Sequence, residues 1–111
     1  MATVFHVYNL NLSTTFQTIY TVPSLTTTVV LSLQIANVSS TQSDLISCQW
    51  LDSSNSNKVT RICGNNTSLP TATAIGILTG KLVLESGDSI QLVSGVGADI
   101  SEATISVMEM S

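Results

Sequence analysis

The stretch "TVVLSLQIAN", residues 28–37, decides the fold. Its apolar residues alternate, with Val29, Leu31, Leu33 and Ile35 on one side and Val30, Ser32, Gln34 and Ala36 on the other. β-Branched side chains dominate it; they lose rotamer freedom in a helix and pack well on a pleated surface. The stretch reads as a strand. The same alternation places strands over 4–9, 16–22, 27–37, 45–52, 58–63, 71–77, 81–85, 89–94 and 103–110. Turn chemistry separates them: "NLNLS", "VPS", "NVSSTQSD", "DSSNSN", "GNNTS", "SGD" and "SGVGAD". Only "SEATISVMEM" invites a helical reading, and its alternation of Ile105 and Val107 with Thr104 and Ser106 favours a strand. Short strands at this spacing imply an all-β chain, an antiparallel β-sandwich that is jelly-roll-like, with residues 1–111 forming a single domain.

Two hairpins are expected. In "GKLVLESGDSIQLVSG", residues 80–95, Leu82 and Leu84 share a face, as do Ile90 and Leu92, and Ser86-Gly87-Asp88 turns the chain. Gly87 supplies a positive φ cheaply, and the Asp88 carboxylate is placed to accept from nearby backbone amides. In "CQWLDSSNSNKVTRIC" a turn centred on Asn55-Ser56 sets Cys48 opposite Cys63, Trp50 opposite Arg61 and Asp52 opposite Val59.

Composition narrows the function. Of 111 residues only 9% are charged, with three Lys or Arg against seven Asp or Glu and a net charge of −4. Ordinary domains carry roughly 25%. Surface covered by a partner does not need charge for solubility, so the deficit favours life in an assembly, with a hydroxyl-rich monomeric β-protein as the alternative. Lys58, Arg61 and Lys81 cannot form a basic stripe, which argues against nucleic acid. No apolar run approaches a membrane helix. "MATVFHVYN" lacks the basic and apolar regions of a secretory signal, so synthesis in a cytosol is expected.

Candidates for chemistry are few. His6 is the only histidine, so a four-ligand zinc site cannot be filled from one chain, and a Ser-His-Asp or Cys-His set has a single possible base. His6 reads instead as a partly buried strand residue. Reduced, packed thiols are the default for Cys48 and Cys63 in a cytosolic product, and their expected facing keeps a cross-strand disulfide as the alternative. The carboxylates sit near turns or strand ends and read as solvated acids. Trp50 with Arg61 is a possible contact pair, or Trp50 is a core anchor. No catalytic residue, cofactor site or metal site is expected, and the chain reads as a non-enzyme.

"YTVPSLTTTVVLSLQIANVSS", "QWLDSSNSNKVTR", "GKLVLESGDSIQLVSG" and the closing "TISVMEM" resemble a family of small virion proteins of tailed bacteriophages. The matching positions, among them Pro23, Asn37, Gly87 and Asp88, set turns or fill the core, and "ICGNNTSLPTATAIG" is less typical. The resemblance implies a virion structural protein made in the host cytoplasm. Its first station is capsid cement or decoration, and the alternative is a neck, tail or fibre-associated module. It further implies a homo-oligomer, a trimer first, bound to virion proteins such as the major capsid protein. A receptor- or carbohydrate-binding module is the competing reading, since jelly rolls also serve as lectins.

Overall fold

The computed structural model describes residues 2–111. Nine strands follow one another along them: β1 (Thr3–Asn11), β2 (Gln17–Thr21), β3 (Thr27–Asn37), β4 (Asp44–Asp52), β5 (Lys58–Leu69), β6 (Ala74–Gly76), β7 (Leu82–Leu84), β8 (Ser89–Ser94) and β9 (Ser101–Met110). A single 3-10 turn, Ser53–Asn55, joins β4 to β5.

The pairings have a simple logic. β1 pairs with β9, β2 with β8, β3 with β6 and β7, and β4 with β5, all antiparallel. The chain is thus one long hairpin with its tip between β4 and β5. Rolling that hairpin up brings β9 onto β3 and β8 onto β4. Sheet one has the order β1-β9-β3, with β6 and β7 end to end along the far edge of β3; sheet two has the order β2-β8-β4-β5. This is the strand order of a jelly roll.

Between the sheets lie Val30, Leu33, Ile35, Ile105 and Val107 from sheet one and Ile46, Cys48, Ile90 and Leu92 from sheet two, all buried. Each such aliphatic side chain is worth about 1.5–3 kcal/mol relative to exposure. Two buried aspartates fasten the ends of β8. At one end Asp44 accepts from the Ser94 and Ser101 hydroxyls, both at 2.6 Å, and from the Leu45 amide at 2.8 Å. Because Ser101 opens β9, this carboxylate stitches sheet two to sheet one. At the other end is Asp88, described below. Both acids belong to the interior, not to the solvated turns that their positions imply.

Four further expectations are corrected. The stretch 80–95 is no hairpin, because β7 belongs to sheet one and β8 to sheet two. Ser86-Gly87-Asp88 is a corner that carries the chain across the core, so Leu84 and Ile90 enter the core from opposite layers. The inward face of β3 is Val30, Leu33 and Ile35, not Val29, Leu31, Leu33 and Ile35. A bulge between Val30 and Ser32 inserts an extra residue against β9 and resets the alternation. "GNNTS" lies inside β5 rather than in a turn, with Asn66 absorbing the irregularity at φ 56°. Finally, the β4–β5 register holds at Cys48 opposite Cys63, but a further irregularity sets Gln49 against Arg61, Trp50 against Thr60 and Asp52 against Lys58.

Candidate functional site

The corner after β7 is held by bonds to two other turns. Gly87 sits at φ +85°, where an L side chain is strained. Its amide donates to the Val22 carbonyl at 3.1 Å, and the Val22 amide returns a bond to the Asp88 carbonyl at 2.9 Å. The Asp88 carboxylate accepts from the Ser53 amide at 2.9 Å, the Ser53 hydroxyl at 3.0 Å and the Glu85 amide at 3.0 Å. Burial pushes its pKa up, yet the Glu85 and Ser53 donors outweigh that and hold it below the ordinary value. The indole N–H of Trp50 reaches no partner at hydrogen-bonding geometry, although it adds weakly to the same pull on Asp88. Asp52 and Glu85 bring carboxylate oxygens to within 4.8 Å of one another and of Asp88. The oxygens of Asp88 are committed as above, and one of Asp52 caps Ser54 through its amide and hydroxyl. The group works as a hydrogen-bonded corner.

The other sequence candidates are dispersed. Pro23 is exposed in the β2–β3 turn. Asn37 is buried at the end of β3; its side-chain N–H groups donate to the Gln42 and Leu69 carbonyls at 2.9 and 3.1 Å, and its oxygen accepts from the Ser39 amide at 2.8 Å. Cys48 is buried and Cys63 half-buried, and their thiols are unbonded to each other. Burial, and then the neighbouring Cys63, push the Cys48 thiol far above its usual range. Trp50 and Arg61 are not a pair. Trp50 packs against the core, whereas Arg61 lies on the outer face of sheet two, bonded to the Gln49 side chain and 5.8 Å from the centre of the Phe16 ring.

His6 contributes to a polar chain at the rim of the sandwich. Its Nε2 is 3.4 Å from one oxygen of Glu109, and the other oxygen accepts from the Tyr20 hydroxyl at 2.5 Å, which is also 2.8 Å from the Thr28 hydroxyl. Burial, and then the Glu109 carboxylate, push the Tyr20 phenol far up. Tyr8 stacks obliquely between the His6 and Tyr20 rings, at 5.8 and 5.5 Å. These groups satisfy one another and so tie β1 to β2 and β9. A separate cleft of about 250 Å³ opens where β6 and β7 leave the edge of β3, lined by Leu31, Ser32, Gln34, Leu78 and Lys81 without an aromatic ring or a carboxylate.

The outer faces of the two sheets differ in kind. Across sheet two runs a polar ladder: Arg61 donates to Gln49, Gln49 to Gln91 at 2.8 Å, and Gln91 to the Thr18 hydroxyl at 3.3 Å. Across sheet one the registers line up Phe5, Met108, Val29 and Val83 in a single apolar row. Phe5 is 67% exposed, Val83 60%, and Val7, two residues along from Phe5, 65%. Elsewhere this face is polar, with Asn9, Thr104, Ser106 and Gln34 outward as on a solvated sheet, so the apolar row is a local patch. The row was missed in the sequence because its members come from four strands whose registers are tertiary facts.

Fold and faces together define an antiparallel jelly-roll sandwich with a polar ladder on one outer surface and an apolar row on the other. No family model and no curated protein matches the chain. Among solved structures it is similar to a protein of the Bacillus endospore appendages, described as a family of disulfide-linked pili. That match has a TM-score of 0.58 and 6% identity, over 99% of this chain and 87% of that one. It is also similar to a protein of the T13 IBDV viral particle, with a TM-score of 0.57 and 12% identity, over 96% of this chain and 30% of that one. This chain therefore spans under a third of the viral protein's length. At these identities the likeness establishes the fold.

Proposed function

We propose that this protein is a non-enzymatic structural component of a virion, which self-associates and lies against neighbouring subunits. Capsid cement or decoration in a tailed phage is its first station, and a neck, tail or fibre-associated module the alternative. The observation that carries this reading is the apolar row Phe5–Met108–Val29–Val83 on a chain with so little surface charge. A row of that kind costs solubility unless something covers it. The two structural neighbours support the reading, since one comes from a pilus and the other from a viral particle.

Quantitative mass spectrometry of purified particles from the source of this sequence tests it. The chain is expected in the particles at a fixed ratio to the major capsid protein. Its confinement to the unassembled fraction would overturn the virion assignment.

A further inference from the structure

The jelly roll leaves four sheet edges, and three are guarded. β5 carries Lys58 and Arg61 and shifts register twice against β4. β2 has five residues and a shift of its own. The far edge of sheet one is split into β6 and β7, three residues each. β1 differs: nine residues in unbroken register with β9, and no Lys, Arg, Asp or Glu among them. Long, flat, uncharged edges are what proteins avoid exposing, because their bare backbone groups template another strand.

The hydrogen bonds show which groups are bare. Ala2 and Ser111 exchange both backbone bonds, at 3.1 and 3.0 Å, and the Leu12 amide donates to the Ser101 carbonyl at 2.9 Å. With the β1–β9 register between them, the even-numbered residues of β1 bond inward to β9. The N–H and C=O groups of Thr3, Phe5, Val7 and Asn9 therefore point outward from the sheet.

We propose that this edge is a subunit interface: β1 pairs antiparallel with β1 of a second copy about a two-fold axis at His6. The inference rests on the self-association proposed above and names its surface. Joining outward groups to outward groups sets odd residues against odd ones. Of the registers that do so, the one centred on His6 matches like with like. It opposes Phe5 to the partner's Val7 and Thr3 to the partner's Asn9, each twice by symmetry. Centring on Phe5 opposes Val7 to a threonine, and centring on Val7 opposes Phe5 to an asparagine. The chosen register also sets Val4 against the partner's Tyr8, two side chains left partly exposed at the rim. An identical strand meets all of these requirements at once, whereas a charged peptide would find no countercharge on β1. The two copies of sheet one become continuous, and Phe5 and Val7 of both form an apolar cluster at the seam. Such an isologous contact closes at two copies, so the building unit is a dimer in place of the trimer that the family resemblance implies.

The test uses the full chain. Sedimentation velocity over a concentration series is run on the wild type, Val7→Lys, and Val59→Lys as a control on the opposite sheet. His6→Cys and Val4→Cys are exposed to oxidised glutathione beside the wild type, and circular dichroism checks that each variant keeps its strands. The expected results are a dimer in the wild type and Val59→Lys, its loss in Val7→Lys, and a reductant-sensitive covalent dimer from His6→Cys alone. Opposed residues of a non-hydrogen-bonded pair stand about 4.5 Å apart at Cα, within disulfide reach. An oligomer untouched by Val7→Lys, with no His6→Cys cross-link, overturns the β1 interface and leaves self-association standing. A wild type that is monomeric throughout overturns both.

Discussion

The carboxylate of Asp88 accepts the backbone N–H of Ser53 at 2.9 Å, and so ties the corner between β7 and β8 to the tip of the β4–β5 hairpin. The tie joins the point where the chain changes sheets to the point where it reverses. Its donors hold the Asp88 carboxyl below 3.8, its ordinary value. A lowered folded pKa stabilises the fold above the unfolded value, and that contribution fades as pH falls through the folded one. Asp88→Asn is expected to lose about 1–3 kcal/mol near neutral pH, by weakening charge-assisted bonds to a buried group. The difference from wild type should shrink below about pH 4. Urea melts across pH check this; a gap unchanged into strong acid would contradict it.

Gly87 faces the same tip. A Cβ there would lie 2.9 Å from the Ser53 hydroxyl oxygen and 3.2 Å from the Ser53 Cβ, at a φ that already disfavours one. Gly87→Val is therefore expected to cost about 1–3 kcal/mol, through combined strain and displacement of Ser53. An unchanged melting temperature would show that the corner does not need its glycine.

The bulge in β3 makes Leu31 and Leu33 unequal, although their sequence spacing makes them equivalent. Leu33 is buried and Leu31 lies on the outer side. Leu33→Ala is expected to cost about 2–5 kcal/mol and Leu31→Ala under about 1.5. Similar losses from both would place them on one face and remove the bulge.

The two cysteines face each other but differ in access. In the native protein a thiol reagent is expected to modify Cys63 alone, with Cys48 reacting after denaturation, because only thiolate attacks and burial suppresses it at Cys48. Peptide mass mapping distinguishes the two. Equal native reactivity, or a mass two daltons lighter before reduction, would contradict free thiols held this way.

Strand positions were legible because a period of two and turn residues are local signals. Each of the nine sequence segments overlaps a strand of the fold, although β1, β4, β5 and β9 run beyond the expected bounds, β5 as far as Leu69. Sheet membership was not legible: Gly87-Asp88 suits a tight hairpin and a sheet-to-sheet corner equally, since both need a positive φ and an acceptor for nearby amides. Bulges hid the rest. One extra residue near Leu31 inverted half of a face, and another beside Cys48 separated Trp50 from Arg61. Asp44 looked like any acid near a turn, because the serines that satisfy it, Ser94 and Ser101, lie far along the chain. The apolar outer row was invisible for the same reason, although the scarcity of charge pointed toward covered surface.

Hydrogen exchange along β1, followed by NMR as concentration rises, tests the central claim most directly. Amides of Val4, His6 and Tyr8 bond to β9 and should be protected at every concentration, whereas those of Phe5, Val7 and Asn9 should exchange quickly when dilute and slow as copies associate. If the odd-numbered amides stay fast while the protein is demonstrably oligomeric, the copies meet elsewhere and the role given to this strand is wrong.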